Sequence, residues 1–167
     1  DSNGSIEMTG GVVLVDGPTM DGNGPLDYMG TFEISGGTLV AVGSLGMAQS
    51  PSASSTQPAI FLGLNQALPA STLINLQTSS GQNLLTYAPS KQFQSVLISS
   101  PDLDMGETYS INTGGSSSGE IENNLYLNGE YQPGTQLTQL TLESIVTTYG
   151  NNAGPGGFPP GGGGRRP

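Results

Sequence analysis

Cysteine, histidine and tryptophan are all missing from this 167-residue chain. Without cysteine there is no disulfide to form or lose, so thiol chemistry gives no compartment. Without histidine or cysteine, Ser-His-Asp and Cys-His sites cannot be assembled and ordinary zinc sites are excluded. Charge is scarce as well. Charged residues make up 10% of the chain, against roughly 25% in ordinary soluble domains. The basic residues are Lys91, Arg165 and Arg166 alone, so the first 164 residues set thirteen acids against one lysine, a formal charge of −12. A surface of that sign cannot neutralise a phosphate backbone, which excludes nucleic acid as a partner. No apolar run approaches the roughly 18 residues of a membrane span, and no signal peptide is visible.

Glycine is abundant, at 27 residues, and together with Ser, Thr, Asn and Gln it occupies the surface that charges usually hold. Threonine-, serine- and asparagine-rich β-structure favours an extracellular, secreted or cell-surface setting. The chain opens at Asp1 on the approach to a strand, from which a processed or truncated form is expected. Asn3-Gly4-Ser5 satisfies the N-glycosylation pattern, a short match that arises often by chance.

The most informative positive feature is a segment written twice. Ile6-Glu7-Met8-Thr9-Gly10-Gly11-Val12-Val13-Leu14-Val15-Asp16-Gly17 returns 26 residues later as Phe32-Glu33-Ile34-Ser35-Gly36-Gly37-Thr38-Leu39-Val40-Ala41-Val42-Gly43. Each copy has an alternating strand, a Gly-Gly corner and a run rich in β-branched residues, the ingredients of one coil of a parallel β-solenoid. Coils bury their apolar faces only against one another, so two are too few to stand alone.

The chain divides into four zones. Residues 1–47 hold the two coils, joined by the turn-rich stretch from Gly17 to Tyr28. Residues 48–58 lack apolar periodicity and read as a connector. Residues 59–149 carry short strand candidates at Ile60–Leu64, Thr72–Gln77, Leu84–Tyr87, Ser95–Ser99, Thr108–Asn112, Leu125–Leu127 and Leu137–Val146, spaced as in a small antiparallel sandwich or barrel. Residues 150–167 form a Gly/Pro-rich tail, read as a linker or as an extended arm in which Phe158 anchors and Arg165 and Arg166 meet an acidic neighbour. The fold class expected is all-β: terminal coils of a right-handed parallel β-helix, then a small antiparallel β-domain and an extended tail.

Several motifs in order resemble a known family. Ile34-Ser35-Gly36-Gly37-Thr38-Leu39-Val40-Ala41-Val42-Gly43, Asp16-Gly17-Pro18, Tyr87-Ala88-Pro89-Ser90-Lys91, Ser99-Ser100-Pro101-Asp102-Leu103, Gly106-Glu107-Thr108-Tyr109 and Thr113-Gly114-Gly115-Ser116-Ser117 are similar to the end of the bacterial secreted carbohydrate-binding β-helix proteins of the Cthe-2159 type. The resemblance covers most of residues 5–149 and corresponds to the C-terminal part of such a protein. It implies a pectate-lyase-like β-helix, binding of cellulose-like and acidic plant polysaccharides, and calcium.

The residues themselves also suggest calcium. Asp16, Asp21, Asn23 and Asp27 fall within 12 residues in a Gly-rich connection, oxygen ligands of the kind a hard cation needs, although Asp21-Gly22 and Asn23-Gly24 are equally good turn formers. Asp102, Asp104 and Glu107 form a second acidic group that reads as a solvated turn. For glycan contact, Tyr28 and Tyr131 are the tyrosines least tied to apolar runs, the others reading as partly buried core. Catalysis is not expected: no constellation supplies acid, base and oxyanion donor together. Two functions remain, a calcium-stabilised carbohydrate-binding module and a filament subunit whose open coil end is covered by the next copy.

Overall fold

The computed structural model describes residues 2–151, and the regular structure among them is all β. The two copies of the repeat become β1 (Ile6–Asp16) and β2 (Phe32–Gly43), which pair in parallel with Ile6 opposite Phe32 and Asp16 opposite Val42. The register slips between Met8 and Val12, where the Gly-Gly corner bulges the strand. Gly11 and Gly37 take φ of +80° and +91° there, a region costly for any side chain.

The two corners differ in what lies beside them. A Cβ on Gly36 would sit 2.5 Å from the carbonyl oxygen of Thr9, whereas one on Gly10 would meet nothing within 4 Å. The second corner is therefore glycine because the first lies on it, and the outer side of the first is open among the described residues.

The chain continues through β3 (Ala59–Leu68), β4 (Ile74–Thr78), β5 (Asn83–Tyr87), β6 (Phe93–Ser99) and β7 (Thr108–Thr113). Short strands follow at β8 (Ser116–Ser117), β9 (Glu120–Glu122), β10 (Leu125–Leu127) and β11 (Tyr131–Gln132), and then β12 (Thr135–Thr141) and β13 (Val146–Gly150). One sheet has the order β1-β2-β6-β3-β13, a second has β12-β7-β4-β5-β10-β9, and β8 and β11 form a ribbon.

The first sheet draws strands from both 1–47 and 59–149. β6 lies antiparallel between β2 and β3, and β13 runs parallel to β3. Side chains of these central strands are apolar at successive positions because both faces are covered. Val40, Ile98 and Ile60, aligned across the sheet, join Ile74, Leu76, Tyr87 and Ile111 of the second sheet in one core. Ala41, Leu97 and Phe61 face the other way, into a core with Met8, Phe32 and Ile34, against which Leu26, Tyr28, Leu45 and Ala48 pack.

Two local expectations need correction. The strand expected over Leu137–Val146 is two strands in different sheets. The chain leaves the second sheet at Leu142, a fully buried residue whose N–H donates to Glu107 O, and enters the first at Val146. The 48–58 stretch is more than a spacer. Ser52 and Ser55 accept hydrogen bonds at Oγ from the N–H groups of Phe32 and Ile34, and Ser52, Thr56 and Gln57 donate their own N–H groups back to the carbonyls of those residues. Hydroxyls thus complete the part of the β2 ladder that β6 does not reach, which requires no apolar periodicity. The tail expected over 150–167 lies almost wholly outside the described residues.

The glycine corners supply a matched pair of substitutions, neither at positive φ. Gly36→Ala is expected to cost about 2–3 kcal/mol, as overpacking against a fixed backbone does, and Gly10→Ala less than about 0.5 kcal/mol. Urea unfolding of both variants measures this, and equal losses would refute the one-sided stacking.

Candidate functional site

Asp16 is the last residue of β1, and its carboxylate reaches across to the second sheet. Oδ1 accepts the hydroxyl of Tyr87 at 3.0 Å, and Oδ2 accepts both the N–H of Ser90 at 2.9 Å and its hydroxyl. Lys91 Nζ donates to the carbonyl oxygens of Asp16 at 2.8 Å and Gly17 at 3.4 Å. Residues 71–75 positions apart are thereby clasped. Burial chiefly, and then the hydrogen bond to Asp16 and its charge, raise the Tyr87 phenol far above its ordinary value.

Beside this clasp opens a half-enclosed cleft of about 690 Å³. Val12 and Leu14 of β1 and Leu125 and Leu127 of β10 give it apolar lining, and Asp16, Tyr87, Glu122, Asn123 and Asn124 line it with polar groups. Glu122, Asn123 and Asn124 sit on a hairpin in which Leu125 pairs with Glu122. Asn123 and Asn124 make the two-residue turn with φ of +49° and +67°, the left-handed pair that a type I′ turn needs and asparagine tolerates. The hairpin is held over the cleft by the pairing of Leu125 with Tyr87 and by the bond from Ala88 N–H to Asn124 O at 2.9 Å. Val12, Leu14 and Asp16 alternate along β1 and so present one face of that strand to the cleft, where Val12 is 60% exposed.

Of the residues singled out from the sequence, Asp16 alone lines this cleft. Asp21 and Asn23 share one exposed turn, where Asp21 Oδ1 accepts Gly46 N–H at 3.2 Å and Asn23 Oδ1 accepts Gly24 N–H at 2.9 Å. Asp27 is half-buried, and its carbonyl accepts Ser2 N–H at 2.8 Å. Asp16 spends both carboxylate oxygens on Tyr87 and Ser90, while Asp21, Asn23 and Asp27 stay together on the connection after β1.

Tyr28 donates its hydroxyl to Ser50 O and packs edge-on against Phe32, with centroids 5.9 Å apart. Tyr131 is 6% exposed, and its hydroxyl donates to Gly114 O at 2.9 Å. Asp102, Asp104 and Glu107 lie on an exposed turn, where Asp104 N–H donates to Tyr109 Oη and that hydroxyl donates to Asp102 O.

Sequence reasoning missed Glu122, Asn123 and Asn124. A signal for them existed, since two asparagines between Glu120-Ile121-Glu122 and Leu125-Tyr126-Leu127 are the hallmark of a tight hairpin. Compared with known proteins, the chain matches no family model, no curated protein and no solved structure.

Two outcomes follow from the clasp. Asp16→Ala is expected to cost about 2–3 kcal/mol in urea unfolding and Lys91→Met about 1 kcal/mol, the scale of hydrogen bonds to charged groups. Because the folded state holds the Tyr87 proton more tightly than the unfolded chain, its contribution is complete below an unfolded pKa of about 10 and is lost as pH rises beyond it. Stability should fall from about pH 10 upward, and less steeply in Tyr87→Phe. An identical slope in the variant rejects this role for Tyr87.

Proposed function

We propose that this chain is a non-catalytic, extracellular carbohydrate-binding module. The observation that carries the reading is the cleft between β1 and the β9–β10 hairpin. A lining that combines four apolar side chains with carboxylate and amide groups suits a sugar, which presents C–H patches and rows of hydroxyls. The short motifs shared with the secreted carbohydrate-binding β-helix proteins support the same reading. So does the parallel pairing of β1 with β2 through stacked glycine corners, which favours terminal coils of a right-handed parallel β-helix.

Calcium belongs to this proposal as an ion held by the connection after β1, through Asp21, Asn23 and Asp27 and without Asp16. Titration calorimetry with calcium tests it. Asp21→Ala should abolish the heat of binding and Asp16→Asn should not; the reverse pattern refutes the assignment.

The glycan reading is tested by retention on insoluble polysaccharide. Val12→Asp and Leu127→Asp, which place charge among the apolar lining residues, are expected to reduce retention about tenfold or more with circular dichroism unchanged. Retention that survives both substitutions would remove the cleft from the reading.

A second reading, a subunit of an extracellular filament, has one observation in its favour: the outer edge of β1 is unpaired among the described residues, with Val12 60% and Val13 41% exposed. It requires concentration-dependent growth in particle size, and a strictly monomeric species in sedimentation would end it.

A further inference from the structure

The cleft has a sign as well as a shape. Asp16, whose oxygens are bonded to Tyr87 and Ser90, and Glu122 bring two carboxylates to its lining, and the neighbouring Asn123 and Asn124 are neutral. Lys91, the only amine side chain ahead of Arg165, has its Nζ engaged with the backbone carbonyls of Asp16 and Gly17. Beyond the cleft, the first 164 residues taken together carry thirteen acids against that one lysine. Low-dielectric walls concentrate such a field inside a cleft, so the charge of an incoming ligand decides whether it is drawn in or turned away.

Glycans come in three charge classes. A uronate chain brings a carboxylate with every residue, a neutral glucan brings none, and a chain of amino sugars with free amines brings an ammonium. Hydroxyls can satisfy the amides of the lining in all three cases. Only the ammonium adds a charge-assisted donor for Glu122, whose exposed side chain on β9 is free to turn toward it. A uronate placed over Asp16 and Glu122 would need a cation bridging the two sets of carboxylates.

We infer that the cleft selects glycans by charge, taking chains with free amino groups ahead of neutral chains and neutral chains ahead of uronates. The inference rests on the carbohydrate-binding reading above and names the substrate class of that same cleft.

The experiment is calorimetry on the full 167-residue chain with glucosamine, cellulose and galacturonate oligomers of equal length, at mildly acidic pH in low salt, once with a chelator, for the ranking by charge, and once with added calcium. The glucosamine oligomer is expected to bind about tenfold more tightly than the galacturonate oligomer, the effect of one or two partly screened contacts, with the ratio shrinking in high salt. Glu122→Gln should narrow the gap, while Glu143→Gln, which removes the same charge from an exposed position outside the cleft, should leave it. Galacturonate binding as tightly as glucosamine would overturn the inference, as would equal narrowing by both substitutions, which would assign the effect to the overall acidity of the chain. Binding of none of the three oligomers would sink the carbohydrate reading itself, whereas equal binding of all three would sink only the selection by charge.

Discussion

Burying both faces of one sheet is the constraint from which the remaining structure follows. In the layer Val40–Ile98–Ile60 the side chains point toward the second sheet, and in the next layer, Ala41–Leu97–Phe61, they point away from it. A strand apolar at every position must find cover twice. The second sheet covers one face, and the connections around Leu26, Tyr28, Leu45 and Ala48 pack on the other. Those connections are therefore part of the core wall. Ser52, Ser55 and Gln57 show the consequence, because their polar groups serve the backbone of Phe32, Ile34 and Gly37 in the part of the β2 edge that β6 does not reach.

The same arrangement explains the position of the cleft. Among the described residues β1 pairs on one side only, and the clasp from Asp16 to Tyr87 and Ser90 brings the end of the second sheet beside it. The β9–β10 hairpin extends from that end of the sheet through the pairing of Leu125 with Tyr87. One tyrosine thus joins the structural clasp to the wall of the candidate site.

Much of the fold was legible in local pattern. The repeat around Gly10-Gly11 and Gly36-Gly37 announced two equivalent strands, and Leu125–Leu127 formed with the bounds expected. Apolar runs such as Val96-Leu97-Ile98 marked strands without ambiguity. The pattern could not distribute those strands between sheets. The break at Leu142 is invisible in sequence because that leucine is as apolar as a strand residue, and only its burial beneath the turn at Glu107 ends the strand. The serine ladder was equally hidden, since a hydroxyl that completes a sheet looks the same as one on a loop.

For the site, composition set the boundaries and packing chose the residues. The absence of histidine and cysteine, the scarcity of cations and the excess of acids were properties of the sequence alone, and they determined which chemistries and which ligand charges the chain could support. Asp16 was recognisable from the sequence as an oxygen-bearing residue at the end of a strand. Whether its carboxylate met a cation or the hydroxyls of Tyr87 and Ser90 was decided by the tertiary structure, because those partners lie 71 and 74 residues away and only the packing of one sheet on the other brings them within hydrogen-bonding distance.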